Sequence, residues 1–463
     1  MFLPTKTNNP ELYPYRRGLY FAFFNALNWQ VATATPTVLF MAYLGADAFE
    51  TGLVYSWPLL LTPVQVLATV LLPRLGFKRL TMAGWGVRSW FLLVPLAIAL
   101  LSHRGTAAWM IYAMVAAMFF YSLSRSVGAA AITTWLQGLV PESVRGRYWS
   151  TDQIMSGTAS VSTLILCAVC FAWLPLSWAF FVLYASSIAG AWQAFRCLRA
   201  LPDIERPTVM SLAKIRADTP RHLFGPGQFR PYLWLSVFYF IIVTPLVPFA
   251  AYYLKAVAGY SPASIMGFTV LQYAGVIGGN WFMRSRIDRI GTKPFLRLSF
   301  GLVALVAAGW LVCLAWTPAM PWLMPGLYVL LGAGTGMFGA ANVSYLAKIL
   351  PEQERALPVS LHGALSYFTG GLAPVAWGLV LKGDGVVPSL NLAAFQWFFV
   401  ITLAGAVTLV VLVNRLKEKA GHVDPLLEGG WLFRPIRAVT YLVNLAVPAP
   451  PPADERKNGF FDH

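Results

Sequence analysis

Ionisable side chains are rare within the apolar stretches of this sequence, and each is a candidate for chemistry. Arg88, Arg125 and His362 lie inside such stretches, and Asp152 lies close to the start of another. The planar guanidinium of Arg125 offers a fork of hydrogen-bond donors that suits a carboxylate or a phosphate. We therefore expect Arg125 to contact an anionic group of a bound molecule.

Simpler roles are open to the other chemically active groups. His362 could titrate near neutral pH and act as a sensor, but a lone histidine near a helix end more often only forms a hydrogen bond. No second histidine or cysteine lies at ligand spacing from it, so we expect no metal site and no cofactor. The Cys167-x-x-Cys170 spacing is better explained by packing in an apolar core than by redox chemistry.

Uncharged polar and aromatic side chains in the same stretches could line a cavity. Asn25 and Asn28 share one face of a helix, because residues three apart are neighbours on its surface. The alternative is that such amides form hydrogen bonds between helices and hold a bundle together, and the sequence leaves both possibilities open. Besides Arg125, the predicted lining residues are Asn25, Asn28, Trp29, Tyr239, Gln272 and Asn342.

The elements that must position these residues are transmembrane helices. Hydrophobic residues make up 58% of the 463 positions and charged residues 11%, a composition that excludes a soluble globular protein. Stretches of about 20 apolar residues recur, each long enough to cross a bilayer as a helix. The sequence predicts an all-α membrane protein with twelve spans, roughly at residues 18–44, 51–72, 80–101, 108–138, 150–174, 178–198, 232–254, 263–283, 295–316, 322–347, 359–381 and 390–413.

Basic residues are concentrated on one side of the predicted topology. Most of the 34 Lys and Arg lie in the N-terminal segment, the even-numbered loops and the tail, whereas the opposite loops hold Arg104, Lys255 and Lys382. Because basic loops stay in the cytoplasm, we expect both termini to be cytoplasmic, in a bacterial inner membrane. Topology and anionic lipid headgroups then explain the net charge of +16, and we expect no nucleic-acid partner.

An internal repeat relates the two halves of the sequence. Residues 35–43 match residues 244–252 at six of nine positions, and each segment begins with a Thr-Pro pair. Two loops also match: Arg-x-Gly-x-Lys follows the second and the eighth spans, and Pro-Glu-x-x-Arg follows the fourth and the tenth. Because matching loops lie on the same face, the halves have the same orientation. We expect two pseudo-symmetric six-helix bundles.

At these residues the sequence resembles the major facilitator superfamily, whose hallmark is an Asp-Arg-x-Gly-x-Lys/Arg loop after helix two, echoed after helix eight. The resemblance covers approximately residues 18–415. Arg125 falls at the family's helix-four arginine, although the glycine spacing of residues 125–128 departs from that motif. Pro73 replaces the aspartate of the first loop, whereas the second loop retains Asp288.

The resemblance implies the major facilitator fold and alternating access, in which two bundles rock about a site near the midplane. Helices one, four, seven and ten would line the cavity. In the family the helix-four arginine often has a conformational role with backbone carbonyls, which is the alternative to solute contact for Arg125. Arg88 would be structural, because helix three is usually peripheral in this fold.

Gating residues at the cytoplasmic face are implied as well. In the family the loop carboxylate faces the N-terminal dipole of a helix in the other half, and Asp288 could do so here. We expect Asp152 to pair with an arginine among Arg284, Arg286 and Arg289; alternatively, it only interacts with the dipole of its own helix. The predicted gating residues are Arg74, Gly76, Lys78, Arg145, Asp152, Asp288, Arg289, Gly291, Lys293 and Arg355.

The function implied is that of a secondary transporter for a small organic solute, with an anion favoured. The alternative is a non-transporting relative that serves as a scaffold, a sensor or an assembly factor, since Pro73 departs from the family and no acidic residue lies deep in a span. We do not expect an enzyme, because no nucleophile, base or metal cluster is apparent. The expected partners are a small-molecule solute and the lipid bilayer, and we expect a monomer.

Five segments follow from these expectations. A cytoplasmic N-terminal segment (1–17) precedes the first six-helix bundle (18–198), and a cytoplasmic linker (199–230) leads to the second bundle (231–415). A cytoplasmic tail (416–463) follows, in which about residues 435–445 are apolar but too short to cross a bilayer. We expect that part of the tail to lie in the membrane interface.

Overall fold

A computed structural model describes residues 11–204, 219–221, 223–225, 227–284, 287, 291–350, 356–382 and 392–417. Within these residues the regular structure is helical, and no strand occurs among them. Nine segments of the described chain are long and apolar enough to cross a membrane, and they correspond to the second to fifth, seventh and ninth to twelfth predicted spans. Helices also occupy the places of the other three spans. The all-α membrane architecture is therefore confirmed.

The first half contains spans one to six. Prolines at or near the first residue of several helices divide the early spans into shorter pieces, because proline lacks the N–H that a continuous helix needs. In chain order the helices are Arg16–Ala32 and Thr35–Leu44 (span one), Ala48–Leu60, Thr62–Ala68 and Leu72–Leu75 (span two), Phe77–Phe91 and Leu93–Leu101 (span three), Ala108–Leu139 (span four), Glu142–Trp173 (span five) and Leu176–Arg199 (span six).

The second half repeats this order from the seventh span onwards. Its helices are Phe229–Val243 and Leu246–Ala256 (span seven), Pro262–Arg284 (span eight), Lys293–Ala315 (span nine), Met320–Ile349 (span ten), Ala356–Leu381 (span eleven) and Leu392–Leu412 (span twelve). The termini of the described chain lie on the same side as the connections between spans two and three and between spans four and five. We call this side the terminal face, and the side that holds residues 45–47 and 382 the opposite face.

The fifth span agrees with the prediction, but its helix is longer than the span. The apolar segment Thr151–Trp173 matches the predicted residues 150–174, whereas the helix that contains it begins at Glu142, where a loop was expected. Pro141 precedes that helix with an extended backbone (φ −56°, ψ 149°), so the chain turns at the proline. The charged residues that follow Pro141 therefore form an extension of the helix beyond its apolar part.

The Thr-Pro pairs interrupt the same span in each half. The first span bends between Ala32 and Thr35, and the seventh is interrupted between Val243 and Leu246. At the first bend, the Thr37 hydroxyl lies 2.8 and 2.9 Å from the carbonyl oxygens of residues 31 and 32. These carbonyls lie where the proline removes a helical donor, so the hydroxyl compensates for the break.

The repeated Arg-x-Gly-x-Lys loops also have matching structures. Gly76 and Gly291 both adopt positive φ, 77° and 96°, a conformation that glycine reaches without steric cost. The Lys78 ammonium donates to the carbonyl of Leu201, just after the sixth span (2.6 Å), and the Lys293 ammonium donates to the carbonyl of Asn414, just after the twelfth (2.9 Å). Each loop is thereby joined to the last span of its own half.

The halves meet along two main seams. Span two packs against span eleven, and span five packs against span eight, while the second helices of spans one and seven also touch. Spans two, five, eight and eleven, with the second helices of spans one and seven, therefore form the boundary between the halves.

Candidate functional site

Arg125 occupies the middle of the fourth span and is half-buried. Its charge acts on the Tyr367 hydroxyl of the eleventh span, so Arg125 lies near the boundary between the halves. Among the described residues Arg125 has no hydrogen-bond or ion-pair partner. An arginine within a membrane span normally pairs with a carboxylate or with backbone carbonyls.

Arg88 of the third span is the second buried cation of the first half. Its side chain is 1% exposed, and its Nη2 atom donates to Asn25 Oδ1 at 2.7 Å. The guanidinium lies over the rings of Trp85 and Tyr121, 4.6 and 5.6 Å from their centroids. These contacts hold Arg88 inside the bundle, which agrees with the structural role expected for it.

Arg88 and Arg125 lie close enough for their charges to interact. Like charges repel more strongly in a medium of low dielectric than in water. Among the described residues no carboxylate pairs with either guanidinium. An anion placed at Arg125 would therefore reduce an unfavourable interaction as well as form its own hydrogen bonds.

The predicted lining residue Asn28 is fully buried and bonded within the first half. Tyr121 Oη donates to Asn28 Oδ1 at 2.6 Å. Asn28 Nδ2 lies 3.0 Å from the Ser187 hydroxyl and 3.2 Å from the Ser187 carbonyl. The side chain joins spans one, four and six, and it uses its hydrogen-bonding capacity for that purpose.

Asn25 likewise bonds within the first half. Besides the bond from Arg88, its Oδ1 atom accepts one from Trp85 Nε1 at 3.1 Å. Trp29, on the same span, is partly buried. Of these three predicted lining residues, the two asparagines form the kind of interhelical contact that the sequence analysis left as an alternative to cavity lining.

In the second half, Asn342 and Tyr239 are also engaged. Asn342 Oδ1 accepts a hydrogen bond from Tyr232 at 2.6 Å, and the Tyr232 ring lies parallel to that of His362 at 5.7 Å. Tyr239 is buried, and its ring stacks on Phe338 with centroids 3.5 Å apart. Gln272 of the eighth span is partly exposed and has no side-chain hydrogen bond among the described residues.

The predicted gating residues are distributed along the terminal face. Gly76, Lys78, Gly291 and Lys293 form the loop contacts given above, and Arg74 is exposed. Asp152 is buried in the first third of the fifth-span helix. The other predicted gating residues are Arg145, Asp288, Arg289 and Arg355, and the arginines expected near Asp152 also include Arg284 and Arg286. All six lie outside the described residues or have side chains outside them.

An ion pair that was not predicted from the sequence connects the two halves. Asp47 Oδ2 lies 2.9 Å from Lys382 Nζ, which joins the connection before span two to the residue after span eleven at the opposite face. Asp47 also accepts a hydrogen bond from the backbone N–H of Glu50 (2.8 Å), and Glu50 Oε2 accepts one from the N–H of Asp47 (2.9 Å). The Asp-x-x-Glu spacing was a visible signal for this capping box, but not for the lysine.

A second contact between the halves lies deeper in the membrane. Tyr273 Oη of span eight donates to Gln30 Oε1 of span one at 2.9 Å. Gln30 is fully buried, and its Nε2 atom has no partner among the described residues. The halves are thus joined by a polar contact at mid-depth in addition to the ion pair at the opposite face.

Glycines allow the close approach of spans two and eleven. A Cβ atom added at Gly371 would lie 2.9 Å from Leu59 Cβ, and one at Gly378 would lie 2.7 Å from Phe49 Cα. From span two, a Cβ atom at Gly52 would lie 2.5 Å from the carbonyl oxygen of Pro374. These contacts lie between the midplane and the opposite face, so the halves are tightly packed there.

Known folds agree with this arrangement. No curated protein matches the sequence. Among solved structures, a D-xylose-proton symporter gives a TM-score of 0.66 at 15% identity, covering 88% of this chain and 98% of that chain. The nucleoside transporter NupG gives 0.62 at 14% identity (87% and 99% covered), and a bacterial homologue of the iron transporter ferroportin in an inward-facing state gives 0.64 at 15% (88% and 99%).

At these identities the structural likeness shows the fold alone. The family assignment comes from the sequence, since the family model described as Major Facilitator Superfamily matches residues 19–324 and, in a second match, residues 285–444. These matches cover most of the chain, including both halves of the repeat. The chain belongs to the major facilitator superfamily.

Proposed function

We propose that this protein is a secondary transporter that moves a small organic anion across the membrane by alternating access. The observation that carries the proposal is Arg125, a half-buried guanidinium between the halves that has no partner among the described residues. The similarity of the fold to solved transporters for nucleosides, xylose and peptides supports transport as the activity. Arg125 in turn supports an anionic cargo.

The proposed orientation follows from the charge pattern. The terminal face, with its basic loops, would be cytoplasmic, in a bacterial inner membrane, and the opposite face would be external. The ion pair of Asp47 with Lys382 would then close the external side in the described conformation. The two six-helix bundles, residues 18–198 and 231–415, would rock as units joined by the 199–230 linker, within a single monomer.

Ligand binding tests the anionic cargo. Purified protein would be screened by thermal shift against carboxylates, phosphates and sulfonates, each beside a neutral amide or alcohol of similar size. A ligand stabilises the state that it binds, so we expect stabilisation by one or more anions and not by their neutral counterparts. Arg125→Gln should weaken that binding at least about tenfold, since a hydrogen-bonded charge contributes about 1.5–3 kcal/mol.

Arg196→Gln is the matched control, because Arg196 is exposed at the end of the sixth span. Counterflow of the bound anion in proteoliposomes then tests movement. Binding without counterflow would favour the alternative of a non-transporting sensor or scaffold. Binding of anions that is unchanged in Arg125→Gln would contradict the proposed site.

A further inference from the structure

The side chains that could recognise a hydroxyl-rich solute are largely used inside the bundles. Polyol recognition needs several amide or carboxylate groups free to donate and accept around one ligand. Of the four amides predicted to line the cavity, Asn25, Asn28 and Asn342 bond to neighbouring spans of their own half. Gln272 is left, and one amide does not make a polyol site.

Gln65 and Gln30, two further amides of the first half, are also engaged. Gln65 Nε2 donates to the backbone carbonyl of Ala129 in the fourth span at 3.3 Å. Gln30 accepts from Tyr273 as described, while its Nε2 atom has no partner among the described residues. Most of the amides predicted to line the cavity are therefore already bonded within the bundles or between the halves.

The side chains near Arg125 include aromatic rings. Tyr367 is 40% exposed, an unusual value for a ring between two helical bundles. Its ring meets that of Phe240 edge to face, with centroids 4.9 Å apart and an interplanar angle of 70°.

The second span contacts the fourth at Gln65 and Ala129 and the eleventh at Leu59 and Gly371. Arg125 lies one turn before Ala129 and Tyr367 one turn before Gly371, so the two residues lie at a similar depth beside the second span, and the Arg125 charge also acts on the Tyr367 hydroxyl.

The neighbours of Tyr367 fix its direction on the eleventh span. Three and four residues further on, Gly370 packs against Phe240 of span seven and Gly371 packs against Leu59 of span two. Residues three or four apart share a helix face, so Tyr367 lies on the face that fills the seam. It lies one turn nearer the terminal face than the tight glycine contact.

We propose that the solute is an organic anion with a flat apolar body, of the aromatic carboxylate class. The carboxylate would bind the Arg125 guanidinium, and the ring would pack against Tyr367 and Phe240 in an offset or edge-to-face arrangement. Tyr367 is then the residue that determines specificity. This assignment rests on the proposed function and goes further, because it names an aromatic anion rather than a hydroxyl-rich one as the solute.

Three probes of similar size separate the chemical features of the solute. Benzoate has both the charge and the ring, gluconate has the charge and hydroxyl groups without a ring, and benzyl alcohol has the ring without the charge. Binding to the full-length protein in detergent would be measured by calorimetry and thermal shift. We expect benzoate to bind more tightly than gluconate and benzyl alcohol, by about tenfold or more.

Variants of Tyr367 test the contact with the ring. Tyr367→Ala should weaken benzoate binding by about tenfold, whereas Tyr367→Phe should retain it, because the ring and not the hydroxyl carries the contact. Trp173→Ala removes an aromatic side chain that is 83% exposed at the end of the fifth span, and it should change nothing. The Tyr367→Phe variant also keeps the packing of the seam, so the comparison holds if Tyr367→Ala unfolds.

The outcomes distinguish this assignment from the proposed function. Arg125-dependent binding of gluconate that exceeds binding of benzoate would overturn the aromatic class and leave an anion transporter. Benzoate binding that is equal in wild type, Tyr367→Ala and Tyr367→Phe would likewise overturn it. If neither anion binds in a manner that depends on Arg125, the proposed function fails together with the assignment.

Discussion

Asp47 and Lys382 form an ion pair of 2.9 Å that connects the first half of the chain to the second at the opposite face. The capping box at the start of the second span holds Asp47 in place. The orientation of its carboxylate therefore does not depend on the lysine. Lys382 immediately follows the eleventh span. The pair therefore joins spans two and eleven at the opposite face, close to the glycines at which these spans already pack tightly together.

Loss of this pair should favour opening at the opposite face. We expect Lys382→Ala and Asp47→Asn to lengthen and broaden the distance distribution between spin labels at positions 104 and 261, one in each half. The shift in population should be modest, because exposed ion pairs are weak. Double electron–electron resonance measures it, and the four native cysteines, all buried, leave the introduced sites selective for the label.

A charge exchange provides the control for that experiment. The double variant Asp47→Lys with Lys382→Asp restores an attractive pair, although the new lysine cannot cap the helix. Its distance distribution should move back toward that of the wild type. A distribution as broad as in the single variants would mean that an attractive pair at these two positions is not sufficient to keep this face closed.

The same pair determines a pH dependence. The hydrogen bond to Asp47 and its charge raise the pKa of Lys382 above the ordinary value of 10.5. A cation whose pKa is raised by its partner stabilises the paired state fully below the ordinary value, and that stabilisation is lost as the pH rises through the raised value. Closure at this face should therefore stay constant through the neutral range and weaken only in strongly alkaline solution.

Spin-label distances measured over a pH series test this sign. The wild type should keep one distribution from about pH 6 to pH 9 and open above the ordinary lysine pKa. Lys382→Ala should show no alkaline transition, because the titrating group is absent. An opening of the wild type that is centred near neutral pH would show that another group controls closure.

The glycine seam gives a steric prediction. Gly371→Val would place Cβ within 2.9 Å of both Leu59 Cβ and the backbone nitrogen of Leu60, and such overpacking is unfavourable by about 1–3 kcal/mol. The halves can escape the clash by separating at the opposite face, so we expect the label distance there to increase. Gly339→Val in the tenth span is the matched control, since a Cβ atom there meets nothing within 4 Å.

Unchanged distances in Gly371→Val, together with a lower unfolding temperature, would count against a movable seam. That result would mean that spans two and eleven form a fixed interface and that the clash is absorbed by local distortion. An equal increase of the label distance in Gly339→Val would show that the distance responds to a larger side chain at any glycine and not to the seam in particular. Only an opening confined to the seam variant supports rocking of the halves.

Hydropathy and the internal repeat were sufficient to predict the spans, their order and the duplicated architecture. The first and seventh spans break at the repeated Thr-Pro pairs, because proline removes a backbone donor whatever surrounds it. The Arg-x-Gly-x-Lys repeats predicted equivalent loops. These features depend on local chemistry and on composition, which a single sequence contains.

The direction of individual side chains was not predictable in the same way. In a helix that is apolar nearly all round, hydrophobic periodicity does not indicate which face meets a neighbour. Asn28 therefore looked as suited to lining a cavity as to bonding with Tyr121. The pairing of Asp47 with Lys382 depends on how the two halves dock, and no local pattern in either loop carries that information.

The matched lysines of the loops allow a test of the pseudo-symmetry. Lys78→Met should remove the bond to the Leu201 carbonyl, and Lys293→Met should remove the bond to the Asn414 carbonyl. A backbone segment near a helix end that has lost such a hydrogen bond opens to solvent more often. We expect faster amide exchange over residues 200–204 in the first variant and over residues 413–417 in the second, measured by mass spectrometry.

Each variant is the control for the other half. Lys78→Arg and Lys293→Arg keep a cationic donor and should restore much of the protection. Accelerated exchange in both halves from a single substitution would mean that the loops act through global stability. It would then contradict the view that each lysine fastens only its own bundle.

Substitution of Asn28 distinguishes a role in the stability of the first half from a role in ligand binding. Asn28→Ala would leave Tyr121 Oη without the partner that it has at 2.6 Å. It would also remove one of the two bonds of the Ser187 hydroxyl, which would still donate to the backbone carbonyl of residue 28 (3.1 Å). An unsatisfied buried polar group is unfavourable by about 1–3 kcal/mol, so the unfolding temperature should fall. Anion binding at Arg125, measured on the folded fraction, should stay within about threefold of the wild type, because the amide is already bonded within its own half.

A double-mutant cycle with Ser187→Ala tests the network directly. If the two side chains stabilise the bundle through their mutual hydrogen bonds, the double variant should be less destabilised than the sum of the single ones. Strict additivity would indicate independent roles. A different outcome would place the amide at the ligand: a loss of anion affinity of tenfold or more in Asn28→Ala with an unchanged unfolding temperature. If the contacts among Asn28, Tyr121 and Ser187 stabilise the first half, breaking them must lower its stability.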